Sequence, residues 1–239
     1  MQHGNFKPRI ALIHALMHSV APINDALARD WPAALRMNLI DDSLSADLAA
    51  SGGVLDAAMH QRFATLTRYA VSCGCDAVLF TCSAFGLCIE AVARVHAALP
   101  ILKPNEAMVA EAVALVCATN PVGRIGLIAS FAPTIESMGP EFPDGHAPTC
   151  ELVAGALQAL NVGDTAAHDA LVVQAAMRLA EQGVGVIALA QFSMARAKTA
   201  VADATGLPVL TTVNSAVRAL KQRLSVAVSP VKPPVKSVG

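Results

Sequence analysis

The chain has 239 residues, a formal net charge of −1, 54% hydrophobic residues, 15% charged residues and 4% aromatics. That length suits one large α/β domain or two half-size lobes, and either can bury a sizeable core. No basic patch is interleaved with stacking aromatics and no apolar run reaches the ~18 residues of a membrane span, so nucleic-acid binding and membrane spanning are excluded.

The first predicted strand covers 9–14 and ends on His14. Lys7 and Arg9 before "IALIHALMHSVA" imitate a signal peptide, but two histidines interrupt the run, and a core strand is the expected role. "HALMH" spaces His14 and His18 like a zinc-protease helix but lacks its glutamate. A strand at 35–40 leads into "IDDSLS", where Asp41 and Asp42 are expected as loop or cap residues. Helical periodicity over 55–73 is stopped by Gly74, which accepts a positive φ. "CGC" at 73–75 has no second cysteine pair, so no metal site is expected. The strand at 76–81 then delivers Cys82 to a turn of small residues, "AVLFTCSAFG", Ala77 to Gly86. A strand at 100–103 precedes Asn105 and Glu106, and "CATNPVG", 117–123, is the natural joint.

The second half opens with a strand at 124–129, followed by Ser130, and another at 149–153. "GDTAAHD" starts a helix over 164–182, with Asp164 as N-cap and Gly183 as its stop; capping and the helix dipole account for its acids without a catalytic role for His168 or Asp169. A strand at 184–190 runs into "LAQFSM", and one at 208–211 into Thr211 and Thr212. Three prolines and no periodicity predict a mobile tail over 226–239.

Alternating strands and helices indicate parallel α/β architecture. The chain also repeats itself: "RIALIHA" resembles "RIGLIAS", "GCDAVLFTCSAFG" resembles "GVGVIALAQFSMA", and "LPILKPNEAM" resembles "LPVLTTVNSAV", at offsets of 115, 109 and 108. Three matches in the same order predict two similar parallel-sheet lobes related by a pseudo-twofold, over 1–118 and 119–215, with 216–225 packing back on the first. Ligands bind beyond the carboxyl ends of parallel strands, so the cleft between the lobes is the expected site. Cys82 would lie on one wall and Gln191 on the other.

A cysteine at a strand-to-helix turn sits among outward N–H groups and the positive end of a helix dipole, which favour a thiolate. The same N–H groups can hold a carboxylate or a developing enediolate. A base and an anion cradle in one turn suit proton transfer beside a carboxylate; a buried structural cysteine is the competing reading. The duplicated lobes and "FTCSA" resemble the aspartate/glutamate racemase superfamily, which includes hydantoin racemases, maleate isomerases and arylmalonate decarboxylases. The resemblance covers nearly all of the chain except the tail. It implies two cysteines facing each other, one removing and one delivering the α-proton, without metal, pyridoxal phosphate or other cofactor. Cys82 matches the first cysteine, with Ser83 and Ala84 supplying anion-binding N–H groups. The second motif falls on "LAQFSM", where Gln191 stands at the cysteine position and departs from the family pattern, since an amide does not exchange protons near neutral pH. His14 stands where glutamate racemases carry an assisting aspartate and is a candidate second base. Ser130, Phe192, Ser193 and Thr212 are expected substrate contacts. The leading expectation is a Cys-based racemase or isomerase of an amino acid or related small acid; a single-cysteine decarboxylase of a malonate-like acid and a non-catalytic small-acid binder are the alternatives. Neither a GxGxxG motif nor a P-loop occurs. Six cysteines, four of them in apolar stretches, suggest reduced thiols and a cytoplasmic protein, and the thin polar surface suggests a homo-oligomer.

Overall fold

The computed structural model describes residues 7–119 and 123–228. The expected tail lies almost wholly outside the described residues, as does the middle of the 117–123 joint. Eight short strands form where the apolar runs stand: β1 (Arg9–His14), β2 (Leu35–Ile40), β3 (Ala77–Phe80), β4 (Ile101–Leu102), β5 (Arg124–Ala129), β6 (Thr149–Leu152), β7 (Val184–Leu189) and β8 (Val209–Thr211). They build two parallel sheets ordered β2-β1-β3-β4 and β6-β5-β7-β8. The second sheet repeats the order of the first, as the sequence repeat predicts.

Both central strands of the first sheet are covered on two faces, which is why they read as continuous apolar runs. Because side chains alternate along a strand, Ala11, Ile13, Val78 and Phe80 share one face. There they meet Leu44, Phe63 and Ile89 from helices α2 (Ser43–Ala50), α3 (Ala57–Ser72) and α4 (Gly86–Val95). Ile10, Leu12, Ala77 and Leu79 face the opposite layer, formed by α1 (Val20–Asp30) and α10 (Thr212–Val228). In the second sheet, Ile128, Ile187 and Leu189 pack with α7 (Ala156–Asn161), α8 (Thr165–Glu181) and α9 (Lys198–Thr205). Its other face, with Ile125, Leu127, Val186 and Ala188, is covered by α5 (Glu106–Thr119) and by Met138 of α6 (Ala132–Met138).

The two end helices are thereby exchanged. α5 follows the first sheet in the chain, yet its Met108, Val109, Ala112 and Val116 pack on the second. α10 follows the second sheet, yet its Val213, Val217, Leu220 and Leu224 pack on the first. A boundary at 118 therefore follows chain order but not packing: the core changes hands at the start of α5. Local signals behave as chemistry requires. Asp164 accepts the Ala167 N–H at 2.9 Å as an N-cap, and Gly74 and Gly183 hold φ of 70° and 79° after their helices. Among the described residues, no helix is long and apolar enough to cross a membrane.

Candidate active site

In each sheet the strand order reverses between the two central strands, so a crevice opens at their carboxyl ends. After β3, Cys82 takes extended dihedrals (φ −124°, ψ 122°) and starts a short 3₁₀ turn, Ser83–Phe85. After β7, Gln191 does the same (φ −127°, ψ 145°) ahead of the turn Phe192–Ala197. The two are conformational equivalents, and they line one small cavity together with Ser83, Phe192 and Ser193. Leu16, Ser19 and Thr81 complete its wall. Its volume is about 20 Å³, room for about one water.

Half-buried Cys82 also borders an apolar lining of Leu44, Phe63, Phe80 and Phe85. Burial there pushes its thiol up to about 11, against the Ala84 N–H and the Ser45 hydroxyl, which both favour the thiolate. The expected thiolate-stabilising turn is thus corrected: the N–H arrives as anticipated, but desolvation outweighs it. The Ser83 hydroxyl donates to the Ala190 carbonyl at 3.1 Å and ties the first lobe's turn to the end of β7.

Gln191 is 8% exposed, and its amide oxygen accepts two hydrogen bonds from Ser130, from N–H at 2.5 Å and from Oγ at 3.0 Å. Those bonds fix the amide, leaving its NH₂ without a hydrogen-bond partner among the described residues. Ser130 holds the Gln191 amide and is not among the residues lining the cavity. Phe192 reaches the cavity but is mainly core, packed among Ile10, Leu12 and Val213. Ser193 lines the cavity. Thr212 does not: it is fully buried at the start of α10, and its hydroxyl finds no partner among the described residues.

His14 sits beneath the cavity rather than in it, with 0% exposure. Its Nε2 donates to Asn38 Oδ1 at 3.0 Å, so Nδ1 is the acceptor, with the Thr81 and Ser19 hydroxyls each 2.9 Å away. Burial lowers its pKa, against the raising effect of Asn38. The imidazole meets the Gln191 side of the cavity only through Thr81 and Ser19, but it shares with Cys82 the small pocket bordered by Leu44, Phe63, Phe80 and Phe85.

The remaining candidates lie elsewhere. Asp41 pairs with Arg62 at 2.6 Å, and Asp42 precedes α2 as a cap residue. Asn105 donates to Glu141, and Glu106 lies 3.8 Å from Lys103. His168 contacts Asp169 at 2.7 Å, and Asp169 holds Arg196. All six cysteines are free, and no group of three or more potential metal ligands occurs among the described residues. Sequence reasoning missed Ser45, Ser19, Thr81 and Leu16. "IDDSLS" did flag the right segment, but the residue that matters is Ser45, one helical turn beyond the aspartates, whose hydroxyl donates to the Ala15 carbonyl at 3.1 Å and favours the Cys82 thiolate.

No family model and no curated protein matches the sequence. Solved structures match over nearly the whole chain. A glutamate racemase isoform from Bacillus anthracis aligns with a TM-score of 0.71 at 12% identity, covering 92% of this chain and 83% of that one. Picrophilus torridus aspartate racemase gives 0.66 at 12% identity, covering 91% and 94%. A point mutant of arylmalonate decarboxylase in its sulfate-associated form gives 0.61 at 18% identity, covering 95% and 97%. The chain has the two-lobe fold of these proteins, and they come from the superfamily that "FTCSA" and the repeat resemble.

Proposed function

We propose that the chain is a cofactor-independent enzyme of the racemase/isomerase type. It moves a proton at the carbon α to the carboxylate of a small acid, an amino acid or a relative of one, with Cys82 as the proton carrier. One observation carries the reading: a single thiol and an oriented amide occupy equivalent positions on opposite walls of one cavity. The fold shared with racemases and a decarboxylase supports it. The Gln191 NH₂ group can donate a hydrogen bond to an enediolate, where charge develops in the transition state.

Decarboxylation of a malonate-like acid is the second reading, and the raised thiol favours it. A group pushed up to about 11 is ionised in about one molecule in 10⁴ at pH 7, so the resting thiol is a proton donor and a scarce base. The bond to the departing carboxylate breaks, its electron pair remains on the α-carbon as an enediolate, and CO₂ leaves. The Cys82 proton then passes to carbon, and solvent reprotonates sulfur. Racemisation needs one more group on the far face, either His14, which shares a pocket with Cys82, or a water.

A panel of α-amino acids and substituted malonates in D₂O separates these readings. Exchange of the α-proton without CO₂ identifies the racemase or isomerase; CO₂ release with one deuterium gained identifies the decarboxylase. Saturable binding with neither would leave a small-acid sensor and contradict the enzyme.

A further inference from the structure

The duplicated fold shapes the ends of the cleft twice, and the two ends differ. One hollow, about 670 Å³, lies between α1, the turn after Gln191 and the α7–α8 link at Gly163. The other, about 390 Å³, lies between α6, the turn after Cys82 and the α2–α3 link at Gly53. These are the same three elements with the lobes exchanged. Position two after each motif residue lines each hollow: Ser193 in the first, Ala84 in the second. Ser193 alone of this pair also lines the small cavity beside Cys82.

Their charge differs: with ion-pair partners counted, the second hollow is net negative and the first is close to neutral. The second hollow is lined by Glu90, Glu136 and Glu141, with no lysine or arginine among its described lining. Lys103 lies behind it, 2.7 Å from Glu90 and 3.0 Å from Glu141, which leaves net negative charge. The first hollow carries Arg29, Arg196 and Lys198, with His18 and one acid, Asp25. Arg29 is balanced by Asp30 at 2.8 Å. Arg196 meets Asp169 through Nε only, so its terminal nitrogens have no hydrogen-bond partner among the described residues. Lys198 has no ion-pair partner among them, and neither does the hydroxyl of Ser193, a residue only 5% exposed, have a hydrogen-bond partner. An unpaired hydroxyl, a half-used guanidinium and a free ammonium are what a carboxylate requires.

We propose that an anionic ligand reaches and leaves Cys82 through the first hollow alone, its carboxylate handled by Ser193, Arg196 and Lys198. The inference rests on the proposed function only for the ligand class, a small carboxylate. Alkylation of Cys82 tests it without any substrate: iodoacetate is the anionic probe, iodoacetamide the neutral one, and mass spectrometry reads each cysteine. The iodoacetate-to-iodoacetamide rate ratio at Cys82 is divided by that at exposed Cys150, at about pH 9 to populate thiolate. At low salt the normalised ratio should exceed one by about threefold or more and fall toward one at about 0.5 M salt. Lys198→Glu should abolish the excess and Lys198→Ala should reduce it, with iodoacetamide rates unchanged. Glu136→Lys in the other hollow should leave the ratio alone. A ratio indifferent to Lys198, a ratio raised by Glu136→Lys, or a Cys82 that neither reagent reaches would each overturn the inference. Failure of the enzyme reading looks different: charge-gated labelling of Cys82 with no acid exchanged or decarboxylated.

Discussion

At Cys82 two local effects oppose each other, and magnitude decides between them. The Ala84 N–H and Ser45 hydroxyl favour the thiolate, while Leu44, Phe63, Phe80 and Phe85 withdraw water from the sulfur; desolvation wins and the thiol stands at about 11. Limited iodoacetamide near neutral pH should therefore mark exposed Cys117 and Cys150 before Cys82, and fastest labelling at Cys82 would contradict the assignment. Cys82→Ala should still lower activity by about 10²- to 10⁴-fold, the usual worth of a positioned acid or base. His14 makes a pH prediction. Its folded pKa lies below the ordinary 6.5, so below that pH the unfolded chain binds more protons than the native one. Its stabilising contribution is complete above about pH 6.5 and is lost as pH falls toward the folded pKa. Denaturant midpoints measured at pH 7.5 and pH 5.5 should differ more in wild type than in His14→Gln.

At the scale of elements, the strands and the two motif turns were legible because their causes are local. Apolar runs such as "AVLF" mark doubly covered strands, and the repeat at near-constant spacing sets Gln191 opposite Cys82. The return of α10 to the first lobe was legible over 216–225, but the crossing of α5 to the second lobe was not. An amphipathic face tells that a helix is buried, but Met108, Ala112 and Val116 would suit either sheet equally well. Thr212 shows a similar limit: its position after a strand was readable, but its full burial at the start of α10 was not. The network of His14 with Asn38, Ser19 and Thr81 joins residues far apart in sequence and left no local signature. The exchange itself is testable. Leu220, fully buried among Ile10, Leu12 and Leu27 of the first lobe, should cost about 2–5 kcal/mol as Leu220→Ala in chemical denaturation. A loss under about 1 kcal/mol would show that α10 is not part of that core.

For the whole molecule, the central fact is a cleft that is nearly shut. A cavity of about 20 Å³ is too small for an amino acid, so the proposed function requires the lobes to part before a substrate reaches the sulfur. The Ser83–Ala190 hydrogen bond crosses that opening, and α6 leans on the first lobe so closely that a Cβ on Gly86 would stand 3.1 Å from Ser137 Oγ. On the proposed function, a closed site of this kind would exclude water around an enediolate, with Cys82 on one wall and Gln191 on the other. The most direct test of single-thiol proton transfer is deuterium incorporation at the α-carbon, resolved by face, in wild type, Cys82→Ala and Gln191→Cys. The account predicts label delivered to one face by wild type, none by Cys82→Ala, and both faces labelled by Gln191→Cys. Label that persists in Cys82→Ala, or that enters both faces in wild type through another cysteine, would contradict it.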